Sequence, residues 1–232
     1  MHTAHLLDQL DALVASRSIL RHPFYEAWTR GELTRGQLRA YAATYYHHVA
    51  AFPSYLEAAA AGASDPDVRA TLARNLTEEL TDPAPHRELW LDFAEALDLD
   101  REAVMAGSPD SATTVAIGTF ARLTAGDTAG ALAALYAYES QQPEVATEKC
   151  RGLREVYGVS SPEALAYFDV HAVMDVDHRA AEREALARCL DAGANPDDLM
   201  ASADAALSAY WQLLDGICAQ VGIESRGSST AA

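Results

Sequence analysis

Within YFDVHAVMDVDHRAAER, residues 167–183, two histidines and an aspartate recur at offsets of four and seven: His171, Asp175 and His178. At about 100° per residue these offsets place the three side chains within roughly 60° of arc, on one stripe two helical turns long. All three can face one point. Two imidazoles and a carboxylate suit iron or manganese, whereas structural zinc prefers thiolates and a closed tetrahedron. The competing reading is a solvated helix face that happens to carry two histidines, because single-helix motifs often arise by chance.

Two further segments hold residues that could converge on the same point. In NLTEELTDPAPHRELW, Glu79 closes one helical run and His86 opens the next, with Pro83 and Pro85 breaking the backbone between them. Such a break lets residues seven apart turn back toward a common centre. In LYAYESQQPEVATEKC, Glu139 lies near the end of a helix that Pro143 must kink or stop, since proline removes a backbone donor. Glu78, Glu88 and Glu144 lie nearby, and spacing alone does not choose among these acids. Together, Glu79-x6-His86, Glu139 and His171-x3-Asp175-x2-His178 supply three carboxylates and three imidazoles. Two divalent ions would bring four positive charges against three negative ones. Three protein ligands per ion leave positions open for oxygen, whereas six ligands on one ion would saturate it.

Ligands from separate segments need helices to carry them inward, and apolar residues recur at helical spacing along the chain. The pattern predicts helices over Leu6 to Ser16, Pro23 to Arg30, Arg35 to Ala61, Pro66 to Leu80 and His86 to Leu97. It continues with Ser111 to Thr124, Thr128 to Gln142, Val145 to Tyr157, Pro162 to Ala192 and Asn195 to Val221. Thr34, Asp65, Ser161 and Asn195 are the predicted N-caps, three of them followed by Pro66, Pro162 or Pro196 at the first helical position. The expectation is an all-α bundle forming one domain over residues 1–221, with a disordered tail, GIESRGSSTAA, over 222–232.

Composition narrows the function. A chain of 232 residues with 50% hydrophobic content can bury one sizeable core. Its net charge of -17, from 34 acids and 17 bases, repels phosphate backbones and anionic lipid, which argues against nucleic-acid and membrane partners. No apolar run reaches 18 residues, and MHTAHLLDQLDALVASRS lacks the apolar stretch of a secretion signal. Cys150, Cys189 and Cys218 are odd in number and form no C-x-x-C pair, so a reducing cytoplasm is the expected location. Assembly stays open between monomer and homodimer.

With HPFYEAW, YYHHVAAFPSY and YESQQPEVATEK added to the ligand order, the chain from about Ser18 to Val221 resembles a known family. It is similar to the haem-oxygenase-like dimetal oxidases, and among them to the self-sacrificing para-aminobenzoate synthases. The resemblance implies a seven-helix haem-oxygenase-like bundle without haem, and a centre of two transition-metal ions, Fe/Fe or Mn/Fe. O2 and an external reductant would be its partners. It further implies that a tyrosine of the protein, by position Tyr25, is cut out to become the ring of para-aminobenzoate, a folate precursor. A lysine, by position Lys149, would supply the amine, and Tyr41 and Tyr138 fall where the family carries redox-active tyrosines. On the same scaffold, the alternative is oxidation of an external fatty acid, amino acid or amine by decarboxylation, desaturation or N-oxygenation. Tyr25 would then only line a pocket.

Composition adds an argument for Lys149. Of the 17 basic residues, 16 are Arg and Lys149 is the sole Lys. A primary amine can lose its proton when desolvated and act as a nucleophile, whereas guanidinium stays charged. The plain alternative is one surface lysine retained near a helix end. Phe24, Tyr25 and Trp28 could likewise be an aromatic face packed into a core. Tyr45, Tyr46, His47 and His48 are expected to pack or to support the ligands from behind, because the four cannot share one helical direction.

Overall fold

Proline and polar punctuation divide the chain much as the spacing predicts. The computed structural model describes residues 2–224. In chain order its α-helices are α1 (His2–Ser16), α2 (Pro23–Arg30), α3 (Arg35–Gly62), α4 (Pro66–Thr81), α5 (His86–Ala96) and α6 (Arg101–Ala106). They continue with α7 (Ser111–Thr124), α8 (Thr128–Glu139), α9 (Gln142–Glu155), α10 (Pro162–Asp191) and α11 (Pro196–Val221), and a 3-10 turn at Ile19–Arg21 precedes α2. The described residues contain no strand, and none of their helices is long and apolar enough to cross a membrane.

All ten predicted helices are present. The one addition is α6, whose six residues are too few to show a helical period, although Asp100 caps it by accepting from Ala103 N–H. The predicted caps are formed as well. Thr34 accepts from Gln37 N–H in a reciprocal capping box, Asp65 from Asp67 and Val68, Ser161 from Ala164 and Asn195 from Asp197. Each such cap contributes about 1 kcal/mol.

The described residues are cut into eleven helical pieces rather than seven, for local reasons. Pro83 and Pro85 part α4 from α5. Pro143 lacks the N–H that would bond Glu139 O, so α8 stops there and α9 starts after a two-residue break at Ser140 and Gln141. The predicted tail lies outside the described residues from 225 onward. Its first residues are ordered: Gly222, at φ 72°, closes α11 in the left-handed conformation, and Ile223 N–H bonds Cys218 O at 3.0 Å.

The packing explains how distant segments meet. Helices α4, α5 and α8 each touch both long helices α3 and α10, while α11 packs on α7 and α8 and α9 packs on α10. Every residue of α8 from Ala129 to Glu139 is buried, as expected of a helix that is apolar all round. Elsewhere in the core Trp28, Trp90, Tyr41, Tyr45, Phe93 and Phe168 are all fully buried. Removing such a side chain from water contributes about 1.5–3 kcal/mol.

One buried contact sets how closely α2 and α9 approach. A Cβ on Gly152 would collide with the indole Nε1 of Trp28. This approach seats Lys149, one turn before Gly152, beside Tyr25, one turn before Trp28. Gly152→Ala should therefore cost about 1–3 kcal/mol by overpacking, seen as a lower denaturation midpoint at unchanged slope. Gly118→Ala is the control, because a Cβ there meets nothing within 4 Å and should be neutral or mildly stabilising.

Candidate metal centre

The bundle brings the six residues singled out by spacing into two buried groups. Glu79 from α4, His86 from α5 and His171 from α10 form one; Glu139 from α8 with Asp175 and His178 from α10 forms the other. Within each group the potential ligand atoms lie within 4.8 Å of one another. Asp175 joins the two, with Oδ2 2.9 Å from His171 Nδ1 and Oδ1 3.1 Å from His178 Nδ1. His86 Nδ1 is 2.9 Å from Glu79 Oε1, and the His86 and His171 rings meet edge-on at 4.7 Å between centroids.

Neighbouring groups orient these side chains. His86 Nε2 lies 3.1 Å from the Asp82 carbonyl oxygen, and His178 Nε2 lies 2.6 Å from Glu78 Oε2. With Nε2 engaged in this way, Nδ1 is the nitrogen that each of these rings turns toward the other candidate ligands. Asn75 Nδ2 donates to both oxygens of Glu139, at 3.0 and 3.1 Å. Of the competing acids, Glu78 thus sits behind His178, while Glu88 pairs with Arg101 and Glu144 with Arg179 nearer the surface.

The residues fit metal ions. Buried polar groups are ordinarily hydrogen-bonded, yet His86 Nδ1 and His171 Nε2 have no well-directed partner. Burial opposes a charge on His178, but Asp175, Glu139 and Glu78 together hold its pKa up to about 10. Burial likewise raises Glu139 above the usual carboxylate range, whereas the His171 and His178 imidazoles outweigh burial and keep Asp175 below it. Concentrated negative charge with orphaned imidazole nitrogens and no thiolate is a donor set for iron or manganese.

Next to the centre is a cavity of about 10 Å³ lined by Val49, Phe52, Glu79, Tyr138, Glu139, Tyr167, His171 and Asp175. It has room for about one water molecule. Behind Tyr138 runs a chain of phenols. Tyr138 and Tyr45 hydroxyls are 3.0 Å apart, and Tyr45 donates to Tyr210 at 2.9 Å. Tyr210 is hydrogen-bonded to Tyr25, whose hydroxyl lies 3.2 Å from that of Tyr41. Burial raises the pKa of all five phenols, that of Tyr210 to about 12.

Lys149 lies in the same interior, 2% exposed, with Nζ 5.4 Å from the Tyr25 ring centroid. The rings of Tyr41, Tyr45, Trp90 and Phe168 surround it at 5.2–5.8 Å. Burial lowers its pKa to about 7. His48, also buried, is pushed down to about 3 by desolvation and then by Lys149, so it packs as a neutral ring against Tyr45 and Tyr138. The spacing did not reveal Tyr210, Asn75 or Glu182. Glu182 is a buried acid beside Glu139 whose only sequence signal is its place one turn beyond His178.

A helical bundle that gathers carboxylates and imidazoles in its core defines a class, the helical redox enzymes with a buried metal centre. The chain belongs to the iron-containing redox enzyme family, whose model matches residues 39–211. It is 44% identical over 207 residues to a 4-aminobenzoate synthase of Chlamydia muridarum, covering 89% of this chain and 87% of that protein. It is 34% identical to a 4-aminobenzoate synthase of Nitrosomonas europaea, covering 99% of both. A solved domain from Shewanella denitrificans with a heme oxygenase-like fold superposes with a TM-score of 0.77 at 18% identity, over 97% of this chain and 96% of that one. The fold is therefore the haem-oxygenase-like bundle expected from the sequence.

Metal analysis tests the centre. Purified protein should hold close to two transition-metal ions per chain, and His171→Ala or Asp175→Ala should lose at least one while helicity is retained. Unchanged metal content in both variants, or zinc alone, would contradict the assignment.

Proposed function

We propose that this enzyme makes 4-aminobenzoate from its own Tyr25, with Lys149 as the amine donor, in a single turnover per chain. The observation that carries the reading is the sole lysine of the protein, fully buried and 5.4 Å from the ring of Tyr25. Tyrosine already holds the product's skeleton, a benzene ring with one carbon para to a heteroatom. The relatives named 4-aminobenzoate synthase support the identity of the product.

The proposed centre, Fe/Fe or Mn/Fe held by Glu79, His86, Glu139, His171, Asp175 and His178, would supply the capacity to activate O2 with electrons from an external reductant. The chain's own residues do the rest. Because burial keeps the phenols protonated, oxidising Tyr25 requires its proton to leave as well, and the hydroxyls of Tyr41 and Tyr210 are the acceptors within reach. Tyr45 and Tyr138 continue that path to the edge of the centre. Lys149 contributes a neutral amine, since desolvation lowers its pKa to about 7. The aromatic walls around it keep out water that would compete for an oxidised ring.

The rival, an oxidase for an external fatty acid or amine, needs a pocket of several hundred Å³ beside the centre. The cavity lined by ligands of both groups is about 10 Å³, and a depression of about 420 Å³ touches the centre at His178 alone, its other walls being Arg74, Glu78, Met174 and Asp177. A cytoplasmic setting suits the external reductant and the three free cysteines.

Product should not exceed one equivalent per chain, and tyrosine labelled during expression should give labelled 4-aminobenzoate. Tyr25→Phe and Lys149→Met should each abolish product while metal content is kept. Many turnovers on an added fatty acid or amine would instead favour the rival. A pH dependence follows as well. Below pH 7 Lys149 is mostly charged and above it mostly neutral, so the single-turnover rate should rise between pH 6 and 8 with a midpoint near 7.

A further inference from the structure

Glu182 lies on α10 one turn beyond His178 and is 1% exposed. Its offset of eleven from His171 places it at roughly 20° on the helical wheel, inside the arc that holds His171, Asp175 and His178. Neither of its carboxylate oxygens has a well-directed hydrogen-bond partner. Its neighbour is the carboxylate of Glu139, held from another direction by Asn75. Two buried carboxyl groups in contact repel unless a proton or a cation lies between them.

We propose that Glu182 is a seventh ligand of the centre, joining Glu139, Asp175 and His178 on the second ion. Three features support this. The side chain starts from the same stripe as the three ligands of α10, so no backbone change is needed to reach the ion. Apart from the contact with Glu139, neither oxygen has a well-directed hydrogen-bond partner, which is unusual for a group so deeply buried. With Glu79, Glu139 and Asp175 it raises the negative charge from three to four, equal to that of two divalent ions. In a core lined by Phe52, Tyr138 and Tyr167, neutrality matters, because residual charge is costly at low dielectric. The added carboxylate also makes the two groups unequal: the first offers one carboxylate and two imidazoles, the second three carboxylates and one imidazole.

The proposal rests on the two-ion reading, and the test separates the two. Glu182→Gln keeps the shape and hydrogen-bonding capacity of a neutral acid but lacks the charge. If Glu182 merely donates to Glu139 as a protonated acid, Gln should serve equally well. If it is a ligand, Mn(II) titration under argon should show the first ion bound as in wild type and the second weakened at least tenfold. Electron paramagnetic resonance should change from a coupled pair to isolated Mn(II). Two ions with wild-type affinity and coupling in Glu182→Gln would overturn the Glu182 assignment alone, whereas fewer than two ions in wild type would overturn both. A crystal structure of Mn(II)-loaded wild type gives a second measure that does not depend on the variant folding. A Glu182 oxygen at bonding distance, roughly 2.0–2.3 Å, supports the proposal, and one in contact only with Glu139 refutes it.

Discussion

Everything in the centre depends on one aspartate facing two histidines at once. Asp175 is 1% exposed, with one oxygen on His171 and the other on His178. Because those histidines sit on opposite sides of it along one helix, the carboxylate sets the distance between the two groups. The other helices have only to approach: α4 and α5 bring Glu79 and His86 to the His171 side, and α8 brings Glu139 to the His178 side. A buried carboxylate without such partners would be strongly destabilising. The rigidity of α10 and the packing of α4, α5 and α8 across it are therefore requirements of the same electrostatic problem.

A second constraint is the dryness of the interior beyond the centre. The same desolvation that lowers Lys149 to about 7 raises the phenols of Tyr25, Tyr41, Tyr45 and Tyr138. Above pH 7 lysine and tyrosine thus stand side by side as neutral molecules rather than as an ion pair. Under the proposed function, electron loss and proton loss at a phenol would have to be coupled, and a hydrogen-bonded run of hydroxyls would serve that coupling better than an isolated tyrosine.

Much of this was legible in the sequence, for reasons that differ by residue. His171, Asp175 and His178 share one helix, so their convergence is fixed by the helical period alone. Glu79 and His86 were readable because Pro83 and Pro85 announce the break that turns them toward each other, and Glu139 because Pro143 marks the end of its helix. Spacing did not separate Glu79 from Glu78; the packing did, by placing Glu78 behind His178 at 26% side-chain exposure. Tyr210 lies 165 residues from Tyr45, and no local pattern predicts that their hydroxyls meet. Glu182 resembles any acid on a charged helix until its burial is known. Helix α6 escaped because one and a half turns leave no period to detect.

The sealed packing around Tyr25 has a kinetic consequence. The residue is wholly buried, walled by Phe24, Trp28 and Tyr41, and a ring freed there would have no open channel to solvent. Under the self-sacrifice reading its escape requires the packing around α2, α3, α9 and α11 to open. That is a local opening, whose frequency depends on the stability of the packing that must part. Delivery would then follow the breathing of the spent protein, so each chain would act as a slow-release container whose dose is set by synthesis and whose timing is set by the looseness of one wall.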